Sequence, residues 1–150
     1  MKKPDRCREF LESYKGLVLE AKRLGLSARS LWEAATGVTS HLSGLPRSNG
    51  DSETVKVALA QASQDTERRL AEALWKRHEV ERFLDGIEND VYRNLLKMRY
   101  VDLLRWPTIV EAFEDSGIPY CDRNIFNLHG YALDAARELW KKNHPEDMED

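Results

Sequence analysis

The chain has no long apolar run, few helix breakers and too few cysteines for a covalent scaffold. Of its 150 residues 41% are apolar and 33% charged, which suits one ordinary domain or two small subdomains. Uninterrupted apolar stretches stop at a few residues, such as Leu17-Val18-Leu19, so none spans the roughly 30 Å of a bilayer core. Met-Lys-Lys-Pro-Asp-Arg leads into further charged residues rather than an apolar h-region, so no secretory signal is expected and the cytoplasm is the expected location.

Catalytic and metal-binding signatures are also missing. Cys7 and Cys121 stand far apart with no Cys-x-x-Cys or Cys/His cluster, which argues for free thiols rather than a zinc site or a disulfide framework. His41, His78 and His144 are scattered, with no i, i+4 pair beside a carboxylate. Glu114 and Asp115 are adjacent, so on a helix they point about 100° apart and cannot share a substrate proton. A Walker loop, a Rossmann glycine fingerprint and a nucleophile elbow are absent, so neither enzymatic activity nor a cofactor is expected. The net charge is −3, and a nucleic-acid partner therefore needs a local basic patch.

What is present is helical periodicity. Phe10, Tyr14, Leu17, Ala21 and Leu24 recur at steps of three and four, which predicts an amphipathic helix over residues 5–24 ended by Gly25. A short second helix follows from Ala28 to Ala35, capped by Ser27 and stopped by Gly37. Residues 38–52 hold turn formers, with Gly44 and Pro46 shaping Ser43-Gly-Leu-Pro-Arg47 and Arg47 a candidate contact residue. From Ser52 to Gly86 neither Pro nor Gly interrupts the pattern. Its 3.5-residue seam runs through Leu59, Ser63, Thr66, Leu70, Ala73, Arg77, Val80, Leu84 and Ile87. Either this helix pairs with the first in an antiparallel hairpin, or a second chain joins to make a coiled-coil homodimer.

Beyond Gly86 the elements shorten. Val91 to Val101 predicts one helix, Pro107 opens another, Ser116-Gly-Ile-Pro119 breaks it, and Cys121 or Asp122 caps a last one. That last helix carries Ile125, Leu128, Ala132, Ala136 and Leu139 on its inner stripe. No alternating strand pattern occurs, so the fold class is all-α. The expected layout is a helical hairpin over 1–87, a helix-turn-helix domain over 88–144, and a disordered acidic tail over 145–150.

In a helix-turn-helix the second helix enters a major groove by its N-terminal turns. The period leaves Arg123, Asn124 and Asn127 on that outer face; Arg pairs bidentately with guanine and Asn with adenine. Arg105, Lys141 and Lys142 are the candidate phosphate contacts, and His129 is a weaker one because it is neutral at pH 7. Trp106, Tyr100 and Trp140 are read as core anchors.

Tyr92-Arg-Asn-Leu-Leu-Lys-Met-Arg-Tyr-Val, Trp106, Ile109-Val110 and Tyr120-Cys-Asp-Arg-Asn-Ile-Phe-Asn-Leu-His-Gly-Tyr-Ala-Leu133 together resemble region 4 of sigma-70-type factors. They resemble more closely the small sigma-like proteins of phages and prophages in Gram-positive bacteria, related to the ArpU and RinA type of late transcription regulators. Ala34 to Ser48 resembles the loop that precedes the long helix in those proteins, so the resemblance covers about residues 34–141. It implies a transcription regulator that binds double-stranded promoter DNA, contacts host RNA polymerase, or both, inside a bacterial or phage-infected cell. The glycine that closes an Arg-Tyr-x-x-Gly run in that pattern is replaced here within Val101-Asp-Leu-Leu-Arg105.

Residues 88–144 carry eight Lys or Arg and nine Asp or Glu, a net of −1, so weak, partner-assisted DNA binding is expected. Two other classes fit the same pattern: an adaptor whose helix-turn-helix meets a protein, and a small terminase-like packaging subunit, which would form a ring.

Overall fold

The structure is a computed structural model that describes residues 3–36, 52–117 and 122–148. The protein is all-α: α1 (Arg6–Thr36), α2 (Ser52–Leu84), α3 (Asp90–Tyr100), α4 (Trp106–Asp115) and α5 (Asp122–Asn143), followed by a 3₁₀ turn, Pro145–Met148. The expected loop 38–52, with Arg47, lies outside the described residues apart from Ser52. Among the described residues no helix is long and apolar enough to cross a membrane.

One difference from the periodicity is immediate. Gly25 does not end the first helix, because α1 runs unbroken for 31 residues and absorbs the predicted second helix. A mid-helix glycine costs only about 1 kcal/mol relative to alanine. Packing outweighs it: a Cβ on Gly25 would sit 3.9 Å from Thr66 Cγ2 of α2.

The chain divides into two units, Met1–Lys15 with Trp75–Asp150, and Gly16–Leu74. In the second, α1 and α2 run antiparallel, with Glu20 bonded to Arg69 at 3.1 Å and Gly25 beside Thr66. Its only side chains buried to the level of a core are Ala21 and Ala73 among the described residues.

The first unit holds the core. Leu11 of α1 and Val80 and Leu84 of α2 are fully buried in one cluster with Leu95, Leu96, Ile109, Ile125, Ala132 and Ala136. Each such leucine or isoleucine contributes roughly 1.5–3 kcal/mol by burial. Beside it Phe10, Phe83 and Trp140 form an aromatic triad with centroids 5.3–5.7 Å apart, so Trp140 is the anchor its position implied.

Local chemistry sets the joints. Asn89 caps α3 by accepting from the backbone N–H groups of Val91 and Tyr92, and Pro107 sits in the first turn of α4. Between these helices Leu103 takes φ 55, the left-handed region that a residue with a Cβ avoids. It occupies the position at which the Arg-Tyr-x-x-Gly pattern carries glycine.

The acidic tail is a second correction. Pro145–Met148 forms a 3₁₀ turn instead of remaining disordered. Asp147 accepts a hydrogen bond from Trp140 Nε1 at 3.0 Å and forms an ion pair with Arg6, so this turn is tied to α5 and to the start of α1. Cys7 is free and 3% exposed. Burial, reinforced by Asp5 and opposed by Arg137, pushes its thiol up to about 12 and keeps it protonated. Cys121 lies outside the described residues.

Candidate nucleic-acid interface

The candidate site is built by α4 and α5, with α3 packed against both. Ile109, Val110 and Phe113 turn the apolar face of α4 inward. The helix stops at Asp115: the Ser116 hydroxyl donates to the Ala112 carbonyl at 2.9 Å, and Gly117 turns the chain away at φ 78. At that φ a Cβ is strained, which is why a glycine stands there.

Helix α5 begins at Asp122 and buries Ile125, Leu128, Ala132 and Ala136, the stripe read from the sequence. Asn124 and Asn127 are exposed on the opposite side. The side chain of Arg123, the first predicted reader, lies outside the described residues. Arg105 is exposed at the N-terminal boundary of α4, where no side chain caps the helix.

The candidate cations do not make one patch. Lys141 and Lys142 are exposed in the last turn of α5, about 21 Å along the helix from Asn127 at roughly 1.5 Å per residue. Asp134 and Glu138 share the outward side between them. Lys141 is paired with Glu138 at 3.4 Å. Other cations of this unit are also engaged: Arg93 with Asp90, Lys97 with Asp85, and Arg137 with Asp5 and Asp134, each at 2.8 Å. Arg105 and Lys142 have no ion pair among the described residues.

His129 does not present itself to a phosphate. Its Nε2 lies 2.9 Å from the Tyr100 hydroxyl, and its ring meets Trp106 edge to face at 4.9 Å. Burial, with the nearby charges of Arg8, Arg99 and Arg137 and against that of Glu12, pulls its pKa down to about 4. It is a neutral packing residue at pH 7. Tyr100 is buried as expected, at 7% exposure.

Periodicity missed the aromatic margin of this face. Arg99 stacks 4.7 Å above Trp106 and donates to the Leu104 carbonyl. Trp106 touches Phe126 at 5.1 Å. Phe126 and Tyr131 are nevertheless 52% and 63% exposed. They border an open cleft of about 520 Å³ with Asn127, Gly130, Arg8 and Arg137 in its lining. The spacing of Phe126 and His129, three apart on one helix flank, was the available signal.

No curated protein and no solved structure matches the chain. The model of the family described as Protein of unknown function (DUF1492) matches residues 41–125, which takes in α2, α3, α4 and the first turn of α5. The match covers more than half of the sequence, and the chain belongs to the DUF1492 family.

Proposed function

We propose that this protein is a phage- or prophage-type transcription regulator that binds double-stranded DNA through α4 and α5, in the manner of sigma region 4, and acts together with RNA polymerase. The observation that carries the reading is the exposure of Asn124 and Asn127 on the first half of α5, opposite its buried stripe. Amide side chains there suit adenine edges, and Arg123 suits guanine. Arg105 and Lys142 have no ionic partner among the described residues, which favours them as phosphate contacts.

The neutral charge balance limits affinity. With Arg105, Arg123, Lys141 and Lys142 all engaged, the slope of log K against log salt is at most about −4. A polymerase contact or a second DNA-bound copy would raise effective concentration and supply the remainder.

The test is fluorescence anisotropy on DNA from upstream of phage late genes, with Arg123→Ala and Asn127→Ala as controls. Wild type binding better than both variants supports the reading; equal binding by all three sinks it.

A second reading, an adaptor that meets a protein, is favoured by Phe126 and Tyr131. Two large aromatics more than half exposed beside a cleft are typical of protein contacts. RNA polymerase retained by the protein in nuclease-treated extract, without DNA binding by the protein alone, would favour it.

A further inference from the structure

Three neighbours on the outward side of α5 enclose one notch. Gly130 stands one turn beyond both Phe126 and Asn127, four residues after the first and three after the second, so the three positions adjoin on the helix surface. A Cβ on Gly130 would meet nothing within 4 Å, and all three residues line the open cleft of about 520 Å³. The notch is therefore floored by glycine backbone, with an aromatic residue on one side and a carboxamide on the other.

The aromatic side is held in place. Phe126 meets Trp106 edge to face at 5.1 Å, and Trp106 is itself fixed by Arg99, 4.7 Å above its face, and by His129 at 4.9 Å. A ring anchored in this way and still 52% exposed offers a preformed apolar surface, with little rotamer freedom left to lose when a ligand packs on it.

The charges around the notch argue against a phosphate as its occupant. Arg8 and Arg137, the cations of the lining, already hold carboxylates: Arg8 that of Glu12 at 3.2 Å, and Arg137 those of Asp5 and Asp134, each at 2.8 Å. Two cations against three carboxylates leave no net positive charge. A broad apolar partner fits poorly too. Phe126 and Tyr131 are five positions apart, about 140° round the helix, so these two exposed aromatics do not merge into one patch.

What fits is a small apolar group carried beside a hydrogen-bonding edge. In the major groove A·T pairs have that combination: adenine offers N7 and its N6 amino group, which an amide side chain engages bidentately, and thymine offers its C5-methyl group.

We infer that the notch between Phe126 and Gly130 receives a thymine methyl group while Asn127 takes an adenine edge beside it, which makes Phe126 a specificity-determining residue. The inference rests on the proposed binding of DNA by α5, and adds to it a base preference that the polar readers alone do not give.

The experiment is a uracil scan. The full chain enriches binding sequences from a randomised double-stranded DNA pool, and each thymine of the enriched duplex is then replaced by deoxyuridine, which removes only the C5-methyl group. In anisotropy titrations the wild type should bind about 4-fold more weakly when one particular thymine is replaced, the worth of one buried methyl group. Phe126→Ala and Gly130→Leu should bind the thymine and uracil duplexes equally. Gly130→Leu guards against a folding artefact, because leucine is the better helix former and enters open space. A flat scan for wild type, or a uracil penalty that persists in either variant, overturns the inference. The DNA reading survives that result if Asn127→Ala still weakens binding, whereas failure to enrich any sequence overturns both. RNA polymerase retained by wild type in nuclease-treated extract and lost by Gly130→Leu, with a flat scan, would assign the notch to a protein instead.

Discussion

The Tyr100 hydroxyl and His129 Nε2 lie 2.9 Å apart across the α3–α5 contact, with the two rings 5.8 Å apart and nearly parallel. The hydrogen bond ties the helix that precedes the candidate helix-turn-helix to the middle of its second helix. Burial of the ring there, reinforced by the charges of Arg8, Arg99 and Arg137, keeps the histidine neutral.

The burial of His129 sets an acid-side stability loss. The folded pKa of His129 is pulled down to about 4 from an ordinary 6.5. Its contribution is therefore complete above pH 6.5 and is lost as pH falls from 6.5 toward 4, because the unfolded chain binds the proton first. The ring is only half buried, so solvent screening leaves on the order of 1–2 kcal/mol. Urea midpoints at pH 7.5 and 4.5 should differ by more in wild type than in His129→Gln. Equal pH dependence in the two would refute the assignment.

Asp147 ties the tail to the aromatic triad through Trp140 Nε1 and Arg6. Asp147→Ala should cost about 1 kcal/mol, the net value of one hydrogen bond, and change Trp140 emission. An unchanged melting curve and unchanged fluorescence would show that the 3₁₀ turn holds itself.

Leu103 sits at φ 55, which costs a residue with a Cβ roughly 1–2 kcal/mol. Relief of that strain offsets the loss of a half-buried leucine, so Leu103→Gly should stay within about 1 kcal/mol of wild type. Leu95→Ala in the fully buried core should instead cost about 2–5 kcal/mol. A Leu103→Gly loss of the same size would remove the case for strain.

Gly16 lies inside α1 with nothing within 4 Å of where a Cβ would stand. Gly16→Ala should raise stability by about 0.5–1 kcal/mol, because alanine loses less backbone entropy in a helix. A decrease on thermal melting would contradict an uninterrupted α1.

If the DNA reading holds, Lys142→Ala should weaken binding about equally on all sequences and reduce the salt slope by about 1. Asn127→Ala should cost about 1–3 kcal/mol at its cognate base and leave the slope unchanged. Anisotropy titrations at three salt concentrations separate the two behaviours, and identical slopes for Lys142→Ala and wild type would remove Lys142 from the contact set.

Much of this was readable before any coordinates. The all-α class, the bounds of α3 to α5 and the buried stripe Ile125, Leu128, Ala132 and Ala136 follow from apolar residues at three- and four-residue steps. Pro107 and Gly117 stand at the ends of α4 because fixed φ suits a helix start and positive φ suits an exit. These are local constraints, set by neighbours within a turn or two.

What the sequence by itself determined is therefore which residues lie on which face of each helix, and that residues 88–144 carry a net −1. Only the tertiary structure decided what those faces meet. Gly25 is overridden by packing on α2, His129 is claimed by Tyr100, and Asp147 is drawn from the tail to Trp140 and Arg6. The same holds for charge: the sequence counts Arg93, Lys97 and Arg137 as positive. Their acidic partners leave Arg105 and Lys142 as the candidates with no ion pair among the described residues, because an ion pair depends on distance through space and a sum over the chain does not.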